Sequence, residues 1–445
     1  MFVDLFLARF SEFASRDALV WQDQSFSYGW LRDATKNWIA RLDAVGIQPG
    51  KVVTLEGDFS PTSVAIFFAL VEIGTVIVPL TRAAGNKREE FLQISESEVV
   101  VEVSPAESVS VLRTGREASH ELYRTLRERH HPGLVLFSSG STGKSKGAVH
   151  DLVPLLKKFE TPRRAWRTLS FLLYDHIGGL NTMLYTLSNG GCMVTVHDRS
   201  AETVLSAIEL HRVELLPTSP TFLNLILIGE AWEHHDLSSL QLVTYGTEPM
   251  PESTLRRFAQ RFPHIQLLQT YGLSELGILH SKSRASDSLW VKIGGDGFET
   301  RVVDAILQVK AQSAMLGYLN APSPFTEDGW FDTRDWVEQD GEYFRILGRD
   351  SEIINVGGEK VYPSEVESVI QELENIVEAV VYGAKNPITG NVVCARVTTD
   401  KPEEAQAVAI KVKKHCAQRL QRFKVPVRVE LVEGPQHNER FKRVR

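Results

Sequence analysis

Leu134-Val135-Leu136-Phe137 runs directly into Ser138-Ser139-Gly140-Ser141-Thr142-Gly143-Lys144-Ser145-Lys146-Gly147, an apolar strand pattern followed by a loop dense in hydroxyls and glycines. Small residues let backbone N–H groups approach an anion, hydroxyls add donors and lysines add charge, which together make a phosphate cradle. Two unrelated enzyme classes use such a loop. Read as G-x-x-x-x-G-K-[ST], it is a nucleoside-triphosphatase loop in which Lys144 and Ser145 take the phosphates and magnesium. Asp175, after the apolar run Phe171-Leu172-Leu173-Tyr174, would then support the metal, but Ser138 stands where that pattern needs glycine. In the other reading Thr142, Gly143, Lys146 and Gly147 are the constrained positions and residue 144 is free.

Outward from the loop, apolar β-branched strands alternate with helical patterns: Lys51 to Leu55, a helix from Ser60, then Val76 to Leu80. That rhythm predicts parallel α/β layers. Leu215 to Pro220 and Leu242 to Gly246 each follow an amphipathic helix and end in small or turn residues, and ligands bind at such carboxyl strand ends. From Ala305 to Arg345 the pattern becomes short strands and turns, with Asp328-Gly329 and Asp340-Gly341 as hairpin signals. After Gly348-Arg349 a segment the size of a small domain begins, with helices at Pro363 to Leu373 and Pro402 to Leu420. The fold class read from this is α/β: a large N-terminal domain (1–347) of layered α/β subdomains with a β-rich part at about 300–347, a hinge at 348–352, and a small α+β C-terminal domain at 353–445.

The bulk numbers agree with an ordinary soluble enzyme. In 445 residues, 43% are hydrophobic and 24% charged, and the net charge of −7 leaves no basic footprint for nucleic acid. Phenylalanines at 2, 6, 10 and 13, interrupted by Asp4, Arg9 and Glu12, read as a packed amphipathic helix rather than a signal peptide. No apolar stretch reaches the ~20 residues that span a bilayer, so a cytoplasmic location is expected. Cys192, Cys394 and Cys416 are too few and too scattered for a disulfide framework or a zinc cluster.

Six ordered stretches decide between the two loop readings. Ser138 to Gly147 resembles the Ser/Thr/Gly-rich loop of the acyl-adenylate-forming (AMP-binding) superfamily, which includes acyl-CoA synthetases, aryl-acid ligases, nonribosomal peptide adenylation domains and luciferases; Ser145 stands where relatives usually have proline. Phe26 to Leu31 with Val71 to Leu80 is similar to early structural motifs of that family, Tyr245-Gly246-Thr247-Glu248-Pro249 to its adenine-side loop, and Tyr271-Gly272-Leu273-Ser274-Glu275 to its Tyr-Gly-x-Thr-Glu motif. Gly329-Trp330-Phe331-Asp332-Thr333-Arg334-Asp335 resembles Gly-Trp-x-x-Thr-Gly-Asp, with arginine for glycine at 334, and Gly348 to Val361 resembles the hinge.

The resemblance implies that ATP and a carboxylic acid form an acyl-adenylate and pyrophosphate, a reaction whose difficulty is repulsion between anions. It implies that Ser138, Ser139, Gly140, Ser141, Thr142 and Gly143 hold the pyrophosphate, that Lys144 or Lys146 adds charge, and that Gly246, Thr247 and Glu248 form the adenine side. Tyr271 would face adenine with Gly272 beside it, Ser274 the phosphates, Asp335 the ribose hydroxyls and Arg349 the ribose or phosphate, while Glu275 would bind Mg²⁺. Relatives carry a lysine near the C-terminus in a Pro-x-Thr-x-x-Gly-Lys pattern; after Pro435 this chain has Lys442 one residue beyond that spacing, and Lys442 is taken as the catalytic lysine. Rotation about Ser351, where relatives carry aspartate or lysine, would exchange Lys442 for the Gly357 to Lys360 loop and open a thiol channel.

Substrate choice is expected near Asp175, His176, Gly178, Gly179 and Asn181, with Ser219 and Tyr245. His176 with its glycines is similar to acyl and aryl ligases, where it sits over the carboxylate and thiol path. Asp175 is either a holder of a substrate ammonium, as in amino-acid-activating relatives, or a helix N-cap. Three functions follow: a carboxylate ligase to CoA or carrier-protein phosphopantetheine, an amino-acid-activating enzyme, or a nucleotide-binding homologue impaired by Ser145, Arg334, Ser351 and the altered tail.

Overall fold

Ser60 accepts a hydrogen bond from the Ser63 amide and caps the helix Pro61–Ile73, which is apolar and buried on nearly every side. A helix with no polar face has to lie between layers. The computed structural model describes residues 3–139, 145–438 and 441–443. In it, Pro61–Ile73 and one face of Ile177–Ser188 share one core with Phe6 and Phe10 of the first helix, Asp4–Glu12.

Two seven-stranded sheets flank that core. The first runs Gln266–Gln269, Leu242–Tyr245, Leu215–Thr218, Arg167–Ser170, Cys192–Thr195, Asp17–Trp21 and Gln24–Ser27, parallel except for the final hairpin. The second has Val52–Glu56 and Val76–Leu80 at its centre, with Gly133–Ser139 parallel to Val76–Leu80. The layered α/β class expected from the strand rhythm is the observed one.

Gly133–Ser139 and Ser145–Asp151 pair antiparallel, from Gly133 opposite Asp151 to Ser139 opposite Ser145. The next helix, Leu152–Lys157, starts only after the second strand. A nucleoside-triphosphatase loop leads from a strand into a helix whose N-terminus faces the phosphates. Among the described residues no such helix follows Gly133–Ser139, and the chain instead returns as the antiparallel strand Ser145–Asp151, which contradicts the Walker reading.

A six-stranded antiparallel sheet follows, from Ser281–Ser283 to Tyr343–Arg349. It begins earlier than residue 300, with Ser281–Ser283 and Trp290–Ile293; the first of these is three residues long and polar, too short to carry a period-two signal. The last part of the chain forms a five-stranded sheet between Ile354 and Leu431, with a separate core built with the helices Pro363–Ile370 and Ala405–Arg419. Polar contacts tie it to the large domain: Asn224 Nδ2 donates to the Val377 carbonyl at 2.8 Å, the Ser253 amide to Ser368 Oγ at 3.0 Å and Ser364 Oγ to the Leu347 carbonyl at 3.1 Å, while Lys360 Nζ lies 3.3 Å from the Trp336 ring centroid.

Candidate active site

The parallel strands Leu215–Thr218, Leu242–Tyr245 and Gln266–Gln269 all end at one cavity of about 530 Å³. Small residues at the strand ends make room for it. A Cβ on Gly246 would lie 2.9 Å from the Thr270 carbonyl oxygen, so no larger residue fits there. Its neighbour Thr247 adopts φ +74°, a left-handed conformation that a β-branched residue rarely holds and that is concentrated at functional sites.

On the cavity wall stand Ser138, Lys146, His176, Gly178, Asn181, Gly246, Thr247, Gly272, Ser274, Glu275, Arg349 and Lys442. Residues more than three hundred positions apart therefore face one space. Gly140, Ser141, Thr142 and Gly143, with Lys144, lie outside the described residues, and the side chain of Ser139 is likewise not described.

Glu275 is almost buried, and Tyr318 donates its hydroxyl to Glu275 Oε1 at 2.6 Å. Oε2 has no protein partner among the described residues. Lys146 Nζ lies 5.1 Å from the Tyr318 ring centroid, so one aromatic side chain supports both the acid and the cation. The backbone of Ser274 is fixed from behind: the buried His150 donates from Nε2 to its carbonyl at 2.6 Å, and burial lowers the pKa of His150, keeping it neutral.

Behind the wall, Tyr271 and Asp335 form a buried pair, with the Tyr271 hydroxyl donating to Asp335 Oδ2 at 2.6 Å. Arg349 Nε stands 3.4 Å from Asp335 Oδ1. Burial pushes the Asp335 carboxyl up from its usual range, while Arg349 and the Tyr271 hydroxyl oppose that shift. Arg334, in the position where relatives have glycine, has φ +60° and stays exposed beside Asp332.

His176 caps the helix Ile177–Ser188: its Nδ1 accepts from the Gly178 amide at 3.0 Å, which puts the proton of the neutral ring on Nε2. Asp175 is neither the cap nor a wall residue. It is buried, and its Oδ2 accepts from Thr81 Oγ1 at 3.0 Å. Gly179, Ser219 and Tyr245 also stand behind the wall. A Cβ on Gly179 would lie 2.1 Å from the Leu173 carbonyl oxygen, so that glycine permits close packing. Ser219 caps the helix Pro220–Gly229, and Tyr245 is buried in the core beneath the cavity.

Glu248 acts on the tail rather than on the cavity. Its Oε1 accepts from the Thr221 amide at 2.9 Å and its Oε2 from the Arg443 amide at 3.3 Å. Next to Lys442, the Phe441 ring packs against Phe171 and Phe222, with centroids 5.2 and 5.3 Å away, and stacks on His437. Arg443 Nη1 pairs with Glu367 at 2.8 Å, both side chains nearly inaccessible. The tail is thus held on both sides of Lys442. Tyr318 escaped the sequence reading: it is a single hydroxyl in the stretch Met315 to Leu319, and only the fold brings it to the wall.

The chain matches the model of the AMP-binding enzyme family over residues 6–310 and that of the AMP-binding enzyme C-terminal domain over residues 365–442. It is 28% identical to an indoleacetate–CoA ligase of Aromatoleum aromaticum, covering 93% of this chain and 91% of that one. With a 2-succinylbenzoate–CoA ligase of Listeria monocytogenes it shares 26% identity, covering 94% and 92%. Among solved structures, an anthranilate CoA ligase in complex with anthranoyl-AMP superposes with a TM-score of 0.83 at 19% identity, covering 99% of this chain and 95% of that one, a likeness of fold.

Proposed function

The chain belongs to the AMP-binding enzyme family, and from that premise we propose how the residues of its cavity carry the reaction. The reaction is ATP-dependent activation of a carboxylic acid to an acyl-adenylate with release of pyrophosphate, followed by thioester formation with CoA. Both relatives named above are CoA ligases. One observation carries the assignment of roles: Lys442 from the tail and Glu275 from the large domain line the same cavity.

Two anions must meet there, so cations and donors have to be in position beforehand. Lys442 bridges the acid's carboxylate and the α-phosphate, held by the Phe441 and Arg443 anchors. Lys146 and Ser138 hold the departing pyrophosphate, together with the loop from Ser139 to Gly143. Asp335, braced by Tyr271 and Arg349, accepts the ribose hydroxyls. Thr247, Gly246 and Gly272 shape the adenine side, and Ser274 donates to phosphate. Asn181 and Gly178 border the acid, with His176 over the carboxylate.

Mg²⁺ enters with ATP, and the donors present fit it: Glu275 offers one carboxylate oxygen without a protein partner, and no cluster of three or more potential ligands exists among the described residues. Glu275 would hold the ion together with the nucleotide, and the ion would supply positive charge against the phosphates. Amino-acid activation loses its support, because Asp175 is turned to Thr81 and leaves no carboxylate at its position to hold an ammonium group.

The small domain has its own hydrophobic core and joins the large domain through the short segment Asp350–Glu352, about which it rotates for the thiol step. A carrier-protein phosphopantetheine presents the same thiol as CoA and is the alternative acceptor. A cytoplasmic location, where ATP and CoA are supplied, belongs to the same proposal; no helix among the described residues is long and apolar enough to cross a membrane.

The test is pyrophosphate release with aliphatic, aromatic and amino acids, for the parent, Glu275→Ala and Lys442→Ala, with thioester detected on CoA and on a carrier protein. An acid-dependent signal abolished by both substitutions is expected. If no acid raises pyrophosphate, or if Glu275→Ala keeps full activity, the proposal fails.

A further inference from the structure

A second cavity of about 220 Å³ opens from the first, sharing Asn181, Pro217, Thr244 and Ile278 with it. It is a slot between the helix Ile177–Ser188 and one face of the parallel sheet. Leu215, Leu242 and Leu268 supply its apolar floor at every second position of their strands, and Tyr185 covers it. The slot adjoins the space in which the acid's carboxylate would react, so it offers room for the body of the acid.

The charges of the slot are one-sided. Lys158, Arg163 and His280 line it and no aspartate or glutamate does. Lys158 donates to Asn181 Oδ1 and, at 3.1 Å, to the Ile278 carbonyl, both neutral acceptors; its third donor has no acceptor among the described residues. Neither Lys158 nor Arg163 has an acidic partner within ion-pair distance among the described residues. Arg163 Nη2 instead meets His280 Nδ1 at 2.9 Å. An ammonium taken from water without a counter-charge is costly. A cation kept unpaired beside an apolar slot is a site for an anion brought by the ligand.

We propose that the acid activated by this protein carries a second carboxylate on its apolar body, bound by Lys158 with Arg163 towards the outer end of the slot. The preferred substrates are dicarboxylic acids, adenylated at one end only. This rests on the adenylation reading of the adjoining cavity. Burial and the Arg163 charge push the Lys158 ammonium down to about 7. With Arg163 and His280 as the other titratable groups of the slot and no acid there, preference for the dianion is strongest below that pH and weakens above it as Lys158 deprotonates.

The experiment compares matched pairs in pyrophosphate release: hexanoate with adipate, and 3-phenylpropanoate with 3-(carboxyphenyl)propanoate. A charge-assisted hydrogen bond predicts a diacid preference in kcat/KM of roughly 10- to 100-fold for the parent. Lys158→Met should abolish that preference while turning over the monoacids, which controls for folding, and Lys158→Arg should retain it. A parent that favours the monoacids, or a ratio unchanged in Lys158→Met, overturns the proposal and leaves adenylation standing. Absence of pyrophosphate with every acid overturns both.

Discussion

Tyr271→Phe keeps an aromatic ring and removes one hydroxyl, which separates two roles assigned to the same residue. The hydroxyl donates to Asp335 Oδ2 at 2.6 Å, and Asp335 is 6% exposed. A hydrogen bond to a buried charged group contributes about 1.5–3 kcal/mol. At ~1.4 kcal/mol per factor of ten, the KM for ATP should rise roughly 10- to 100-fold. The KM for the acid should stay near the parent value, because Asp335 lies away from the slot. The pH profile gives a second readout. Burial raises the Asp335 carboxyl, and the Tyr271 hydroxyl is one of the groups opposing that rise. Without it the carboxyl rises further. Ribose recognition needs the ionised form, so kcat/KM for ATP falls as pH drops through the Asp335 pKa, and in the variant the fall begins at higher pH. Pyrophosphate release at saturating acid, over a pH series and an ATP series, measures both. An unchanged ATP KM with an unmoved acid limb would refute Asp335 as the ribose acceptor.

Four further outcomes are expected. Lys442→Ala should lower pyrophosphate release by ~100-fold or more, the scale for losing an electrostatic partner of the transition state, while thioester formation from supplied acyl-adenylate continues; equal loss of both steps would argue against the tail exchange. Glu275→Gln should raise the Mg²⁺ concentration needed for half-maximal rate, measured by metal titration at fixed ATP. Arg443→Met breaks the buried ion pair with Glu367 and should destabilise the small domain; in a Glu367→Gln background the cost should shrink, and identical costs in a denaturation cycle would show the two are uncoupled. Arg334→Gly removes an exposed side chain held at φ +60° and should stabilise the protein by about 1 kcal/mol, read as a rise in melting temperature.

Much of the site was legible because its residues sit in short runs with a fixed backbone job. Gly246, Gly272 and Glu275 lie at strand ends where the chain must turn beside a ligand, and their spacing survives in the linear sequence. Lys442, singled out in spite of the broken tail pattern, stands on the cavity wall, and the Phe441 contacts with Phe171 and Phe222 give the physical basis for that position. Asp175 was misleading: one step from His176 along the chain, it points the other way, since successive residues at a helix start face different sides. Glu248 was assigned to the adenine loop, but its carboxylate reaches the Thr221 and Arg443 amides instead.

The sequence alone determined the α/β layering, the order of the family motifs and the need for an anion site after Phe137, because these depend on local periodicity and backbone conformation. The six ordered motifs also separated the two phosphate-loop readings, and the antiparallel pairing of Gly133–Ser139 with Ser145–Asp151 supplies the structural reason. The one-sided charge of the substrate slot was invisible beforehand. Lys158, Arg163 and His280 are common surface residues in a linear reading, and only long-range packing of a helix against three strands places them along one apolar slot without an acid.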